Sequence, residues 1–259
     1  MEVSFDRRCH VTISDHIRRC AHLMKAQRRV VRFWKLESLG LVYIPVPKVV
    51  SSGIRQMLRA QQSDEILGAS CDTPIDACEL TRQSEEQLKV SLSPAQVAKM
   101  GGQYYRFSFV RNPLTRLYSC YRDKVVNAQQ YRDRCTLSPY GIHFGISFED
   151  FIERVAEIPD KYSDQHFRSQ SAVLLYKGEL LVDYLGKLEQ FAEDWEVLST
   201  RFGLDVPPRT KRVSGVAVPL HELPLTRHGL EVVMKRFEPD LDLFGYRDDL
   251  EALMDELPR

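Results

Sequence analysis

Two groups of residues in this chain of 259 residues could do chemistry, and the first has types and spacing suited to holding an anion. The first is Pro47-Lys48-Val49-Val50-Ser51-Ser52-Gly53, set between an apolar, β-branched run and a helical pattern. A strand, a tight loop and a helix in that order aim successive backbone N–H groups and the positive helix end at one small volume, which suits phosphate or sulfate. Lys48 adds a full charge at the loop entrance. The glycine spacing of a nucleotide-triphosphatase loop, G-x-x-x-x-G-K-S/T, is absent, because Lys48 precedes the hydroxyl pair at a distance. The second group is Arg111 with Ser119, eight residues on and about two helical turns away.

These groups need elements to carry them. Leu41 to Ile44 reads as a buried strand that stops at Pro45 and Pro47, and Ile54, Met57 and Leu58 then recur at helical spacing beside Arg55 and Arg59. Tyr104 to Val110 reads as a second strand, followed after Arg111-Asn112-Pro113 by a helix with Leu117, Cys120, Tyr121 and Val125 on one face. Arg111 thus falls at a strand's carboxyl end, where open α/β sheets bind ligands. Arg116, Arg122 and Asp123 read as a helix surface laced with ion pairs. Ser147, three residues before Asp150, caps another helix, and Leu180 to Gln190 leads from a further strand into a helix at Phe191. Residues 11–30 predict an amphipathic helix with Ile17, Cys20, Ala21 and Met24 on one side. Gln61 to Pro94 is a long polar excursion with a short helix near Glu85 to Leu88. The expectation is one α/β domain over 1–259, a P-loop-like central parallel sheet flanked by helices, with a helical extension at 1–40 and a core at 41–246.

Bulk properties narrow the setting. A hydrophobic content of 43% argues for a packed globule, and no run of eighteen apolar residues predicts a membrane span. The N-terminus lacks the apolar core of a signal peptide. Cysteines 9, 20, 71, 78, 120 and 135 are scattered without zinc-ligand spacing, which predicts reduced thiols and a cytoplasmic location. His10, His16 and His22 do not share a helix face, so no metal site is expected. Charge sums to zero, yet residues 1–35 carry nine Lys/Arg against three Asp/Glu, and residues 231–259 four against nine. The basic end is either a solvated helix face or an aid in attracting an anionic substrate.

Pro47 to Ser52 resembles the 5'-phosphosulfate loop of sulfotransferases, in particular the Golgi carbohydrate sulfotransferases of family 2 and their bacterial relatives. The run from Phe109 to Lys124 is similar, in order and spacing, to that family's 3'-phosphate motif F-V-R-D/E-P-x-x-R-L-x-S-x-Y. Further likenesses follow in order. Ser147-Phe148-Glu149-Asp150-Phe151 resembles a packing segment, and Asp164 to Gln170 partly resembles His-Trp-x-Pro, with Phe167 for tryptophan and Ser169 for proline. Asp183, Gly186, Lys187 and Glu189 match D-x-x-G-K-x-E, where Glu189 anchors the turn and Lys187 serves the site or pairs with it. Phe237 to Tyr246 resembles the family's closing folding element. The resemblance covers about residues 41–246.

The resemblance implies a sulfotransferase fold and the transfer of a sulfuryl group from 3'-phosphoadenosine 5'-phosphosulfate to a hydroxyl or amine acceptor, most readily a carbohydrate or glycoconjugate. The bisphosphate is the other product, and no metal, nucleic acid or membrane span is required. Lys48 would neutralise charge on the departing oxygen, N–H groups from Val49, Val50, Ser51, Ser52 and Gly53 would hold the 5'-phosphate, and Ser51 or Ser52 would add a hydroxyl. Arg111 and Ser119 would hold the 3'-phosphate. Lys211 and Arg212 either close over the nucleotide or form an exposed basic loop. His166 either accepts the acceptor's proton, a task suited to a neutral imidazole near neutral pH, or fixes its own loop. Asp72, Asp76 and Glu79 are carboxylate alternatives. Two other classes compete. A P-loop kinase needs carboxylates for Mg²⁺, yet no Asp stands between Tyr104 and Arg111. A non-catalytic nucleotide-binding module keeps Arg111 and Ser119 but has no working base.

Overall fold

The computed structural model describes residues 31–69, 77–128, 137–206 and 218–258. The helix expected over 11–30 lies outside them. Strand β1 (Val31–Leu36) and strand β2 (Leu41–Tyr43) form a hairpin in which Trp34 faces Tyr43 and Leu36 faces Leu41. Gly40 closes the turn at a left-handed φ of 58°, its N–H 3.1 Å from the Glu37 carbonyl, a conformation open to glycine without penalty. Residues 31–36, expected within the helical extension, are therefore part of the sheet. Phe33, Trp34 and Leu36 are buried there, and aromatic and branched side chains fit a pleated surface.

Helices α1 (Ser51–Ala69) and α2 (Ala77–Leu88) follow, and strand β3 (Lys89–Leu92) returns antiparallel to β1. The short helix expected near Glu85 is thus the end of a twelve-residue one. Helix α3 (Pro94–Ala98), closed by a Ser93–Gln96 capping box, leads to strand β4 (Tyr105–Val110), parallel to β2. Helix α4 (Pro113–Tyr121) runs on into a wider π-type turn at Arg122–Val126. Then come α5 (Phe148–Ala156), α6 (Gln170–Leu174) and a small hairpin of β5 (Leu175–Tyr176) and β6 (Glu179–Leu180). Strand β7 (Tyr184–Lys187) lies parallel to β4, and helices α7 (Phe191–Phe202), α8 (Arg227–Arg236), α9 (Glu238–Phe244) and α10 (Arg247–Glu256) complete the described chain.

The main sheet has the order β3-β1-β2-β4-β7. It is mixed rather than parallel throughout: only β2, β4 and β7 run together, because a tight turn can join β1 to β2 only as antiparallel neighbours. Strand β4 lies inside the sheet between β2 and β7 and is buried from Arg106 to Val110, as a strand covered on both faces should be. Phe107 stacks on Tyr43, and Phe109 packs on Phe191 and Trp195 of α7. Gly186 of β7 makes room for this, since a Cβ there would overlap the Phe109 ring. Helix α5 starts as expected, the Ser147 hydroxyl accepting the Asp150 N–H. Among the described residues no helix is long and apolar enough to cross a membrane.

Candidate active site

The parallel strands β2 and β4 end side by side. Ile44 donates its N–H to the Phe107 carbonyl at 3.0 Å, and the Ser108 hydroxyl donates to the Ile44 carbonyl at 2.6 Å. The loops after them, one carrying Lys48 and the other Arg111, therefore leave the same edge of the sheet. Lys48 and Val50 both take left-handed backbone conformations, with φ of 69° and 41°. A branched residue is strained there, and such strain persists only where the surroundings hold it. The loop then enters α1 at Ser51, which is buried, whereas Ser52 is exposed. The Gly53 N–H donates to the Val50 carbonyl at 2.9 Å. Gly53, expected among the anion donors, is thus used to close the first turn, which leaves the amides from Val49 to Ser52 at the helix entrance.

Helix α4 begins with its own cap. The Asn112 side chain accepts from the Leu114 and Thr115 N–H groups at 3.0 and 3.4 Å, and Pro113 fills a first-turn position that needs no donor. Just before it, Gln170 grips the Arg111 backbone twice: it accepts the Arg111 N–H at 3.0 Å and donates to the Arg111 carbonyl at 2.7 Å. Arg111 Nε donates to Thr115 Oγ1 at 2.9 Å, so the rest of its fork remains for a ligand. Burial lowers the Arg111 pKa, against the pull of Glu189 and Tyr246, yet a guanidinium keeps its charge.

Thr115, Ser119 and Asp123 follow at intervals of four residues, a single stripe along the helix. Its far end reaches the other loop, because Asp123 Oδ2 lies 3.1 Å from Lys48 Nζ. Asp123 is therefore a partner of Lys48, where the sequence suggested a member of a surface ion-pair network. From Thr115 to Asp123 the helix rises about 12 Å. Arg111 and Lys48 flank this face from its two ends.

Arg116 departs further from expectation. It is 1% exposed and donates to the carbonyls of Pro47, Arg168 and Gln165 at 3.0, 2.8 and 3.3 Å. One guanidinium thereby ties the residue before Lys48 to the residue before His166. Its position was readable: Arg116 stands three residues after Pro113 and four before Cys120, on the buried side of the helix. Lys48, Asp164 and Arg116 all lie within electrostatic reach of the Cys120 thiol, which burial pushes up to about 12.

His166 is held by its neighbour. Asp164 Oδ1 is 2.6 Å from His166 Nδ1 and accepts the His166 N–H at 2.9 Å. The ring is 23% exposed, so a ligand can reach the side turned away from that carboxylate. Asp164 thus fixes the loop that carries His166 and holds one side of its ring.

The remaining landmarks are supports. Glu189 accepts the Asn112 N–H at 2.8 Å and the Tyr246 hydroxyl at 2.9 Å, joining the turn after β4 to the end of α9. Lys187 caps Gly245 with a 3.3 Å bond and lies 4.5 Å over the Tyr246 ring, and so does not pair with Glu189. Asp240 accepts the N–H groups of Gln170 and Ser171, both at 2.8 Å, and so holds the residue that grips Arg111. Glu79 is engaged by Arg82 and Gln83 at 2.6 and 2.7 Å on α2, which packs on α1 and β1 rather than beside β4. Asp72, Asp76, Lys211 and Arg212 lie outside the described residues.

The sequence profile of the Sulfotransferase family matches residues 31–247, beginning where β1 begins and earlier than Leu41. Carbohydrate sulfotransferase 10 of Homo sapiens is 25% identical over 181 residues, which cover 61% of this chain and 51% of that protein. The Gallus gallus protein of the same name is 24% identical over 181 residues, with the same coverage of 61% and 51%. Carbohydrate sulfotransferase 14 of Mus musculus is 22% identical over 225 residues, covering 79% of this chain and 57% of that protein. The chain thus spans about half the length of these curated relatives. No solved structure matches it.

Proposed function

Because the chain belongs to the sulfotransferase family, we propose that it moves a sulfuryl group from 3'-phosphoadenosine 5'-phosphosulfate to a hydroxyl of a carbohydrate or glycoconjugate. The observation that carries this reading is that the loops of Lys48 and Arg111 leave the same end of the parallel strands β2 and β4, Arg111 bonding Thr115 at the start of α4 and Lys48 pairing with Asp123 in the turn that continues it. The donor is anionic at both ends of its nucleoside, and the residues fit it: a lysine with a helix entrance at one end, an arginine fork and a serine hydroxyl at the other.

In this scheme the Arg111 fork and Ser119 take the 3'-phosphate, while the amides from Val49 to Ser52 and the exposed Ser52 hydroxyl take the 5'-phosphate. Lys48 neutralises the charge that builds on the departing phosphate oxygen as the sulfuryl group passes in line to the acceptor. Catalysis by positioning and electrostatics needs those donors fixed beforehand, which Gln170 does for Arg111 and Arg116 does for the Lys48 loop. His166 Nε2 accepts the acceptor's proton, with Asp164 holding the opposite side of the ring. The acceptor assignment draws on the names of the relatives, which are carbohydrate sulfotransferases. We also propose a single domain and, from its scattered cysteines, a cytoplasmic location, to be tested by fractionation of the native host.

Two measurements test the function. Titration calorimetry compares adenosine 3',5'-bisphosphate with ATP and Mg²⁺: the bisphosphate is expected to bind more tightly, and a magnesium-dependent preference for ATP would overturn the assignment. Transfer of labelled sulfate to a panel of sugars then separates an enzyme from a nucleotide-binding module, which would bind the bisphosphate yet label nothing.

A further inference from the structure

The roles above leave one contact without a task. A carboxylate 3.1 Å from Lys48 Nζ opposes the binding of any anion to that lysine, both by repulsion and by holding the ammonium itself. The pair is not an ordinary surface one: the Lys48 side chain is 15% exposed and that of Asp123 33%. Asp123 stands in the π-type turn at Arg122–Val126, a local widening of a helix of the kind that recurs at functional positions. Lys48, at a left-handed φ, and Asp123, in that widened turn, meet across 75 residues of chain. The charged and titratable groups facing Lys48 are Asp123, Lys124 and Cys120, and Lys124 lies 3.5 Å from the same Asp123 oxygen. Burial lowers the Lys48 pKa, and Asp123 raises it again, so the carboxylate keeps a poorly hydrated ammonium charged.

We propose that Asp123 is a positioning residue for the transfer reaction, holding Lys48 charged and in place against α4 and yielding it to the donor's phosphosulfate end when the donor binds. No covalent bond changes in this exchange; one anionic partner of the ammonium replaces another. The inference rests on the proposed sulfotransferase reading and adds a residue to it.

The test is binding of adenosine 3',5'-bisphosphate, measured by calorimetry from neutral pH to its alkaline limit on the wild type, Asp123→Asn and Asp123→Ser. Loss of the competing carboxylate is expected to tighten binding at neutral pH by roughly two- to fivefold, the effect of a partly screened charge pair. With Asp123 gone the Lys48 pKa falls further, so binding is also lost at a lower pH on the alkaline side. A merely structural role moves affinity the other way, since a loosened loop binds less well. The inference is overturned if both variants bind no more tightly than the wild type and keep its alkaline limit. Failure of the wild type itself to bind the bisphosphate overturns the sulfotransferase reading as well, so the two failures are distinct.

Discussion

Lys48 and His166 are expected to fail in different ways, because in the proposed reaction one meets the donor and the other the acceptor. Lys48→Ala removes a preorganised charge at the departing oxygen and should lower kcat/KM by roughly 10²–10³ while weakening bisphosphate binding. His166→Ala should lower kcat by roughly 10²–10⁴ with bisphosphate affinity unchanged. Calorimetry beside sulfate-transfer rates separates the two patterns. Equal affinity losses in both variants would mean that His166 belongs to the donor site or to the fold. Chemistry at this level was partly legible. A lysine before two serines and an arginine eight residues before a serine are local patterns, and a chain reader finds them. Asp123 was read as an ion-pair residue and does form ion pairs, but its partner Lys48 was missed although Asp123 continues the four-residue interval from Thr115 through Ser119, because that interval acquires meaning only when Lys48 is known to lie at its end. Asp164 was missed for a simpler reason: its partner is two residues away, and a carboxylate so close to a histidine reads as a turn residue.

Between elements, a few buried polar groups do the joining. Arg116 bonds three carbonyls from two separate loops, and those carbonyls have no other way to meet. Arg116→Met fills the volume but leaves acceptors unpaired, and should cost about 3–5 kcal/mol of stability. Urea denaturation followed by circular dichroism measures this, and a loss under about 1 kcal/mol would contradict the argument. Arg116→Lys should recover little, because a single ammonium cannot reach three directions that a planar fork spans. The sheet makes its own demand at β7. Gly186→Ala pushes against Phe109, whose ring is already confined by Phe191 and Trp195, so a loss of about 1–3 kcal/mol in stability is expected from overpacking. A melting temperature equal to the wild type's would show that the ring has room to retreat. Element types were readable from periodicity, but the mixed sheet was not. Residues 31–36 alternate too briefly to be told from the helical pattern expected before them, and their direction depends on pairing with both β2 and β3.

Over the whole molecule, paired carboxylates set the response to acid. Hydrogen bonds from Arg106 hold the Asp183 carboxyl below the usual carboxylate range, and for Asp160 burial is outweighed by Arg236 and the Ser169 hydrogen bonds together. A depressed folded pKa contributes stability above the unfolded value of about 3.9, and that stability is lost as pH falls through the folded value. Asp240 works against this slope, since burial pushes its carboxyl upward despite the Gln170 and Ser171 N–H groups. The urea midpoint should therefore be higher at pH 7 than at pH 3, and Asp183→Asn should flatten the acid limb. An acid limb as steep in the variant as in the wild type would remove Asp183 from the account.

The chain's linear order sufficed for the two strand–loop–helix units, the lysine, serines and arginine they carry and the family they resemble. Each of these rests on contacts within about twenty residues, where propensity, capping and side-chain period act directly. Folding in three dimensions was needed for Arg116 reaching Pro47, Gln165 and Arg168, for Glu189 joining Asn112 to Tyr246, and for Asp123 meeting Lys48. Those partners stand about fifty to eighty residues apart. No local period links positions so distant, and they meet because β2, β4 and β7 align in parallel and deliver their loops to one edge.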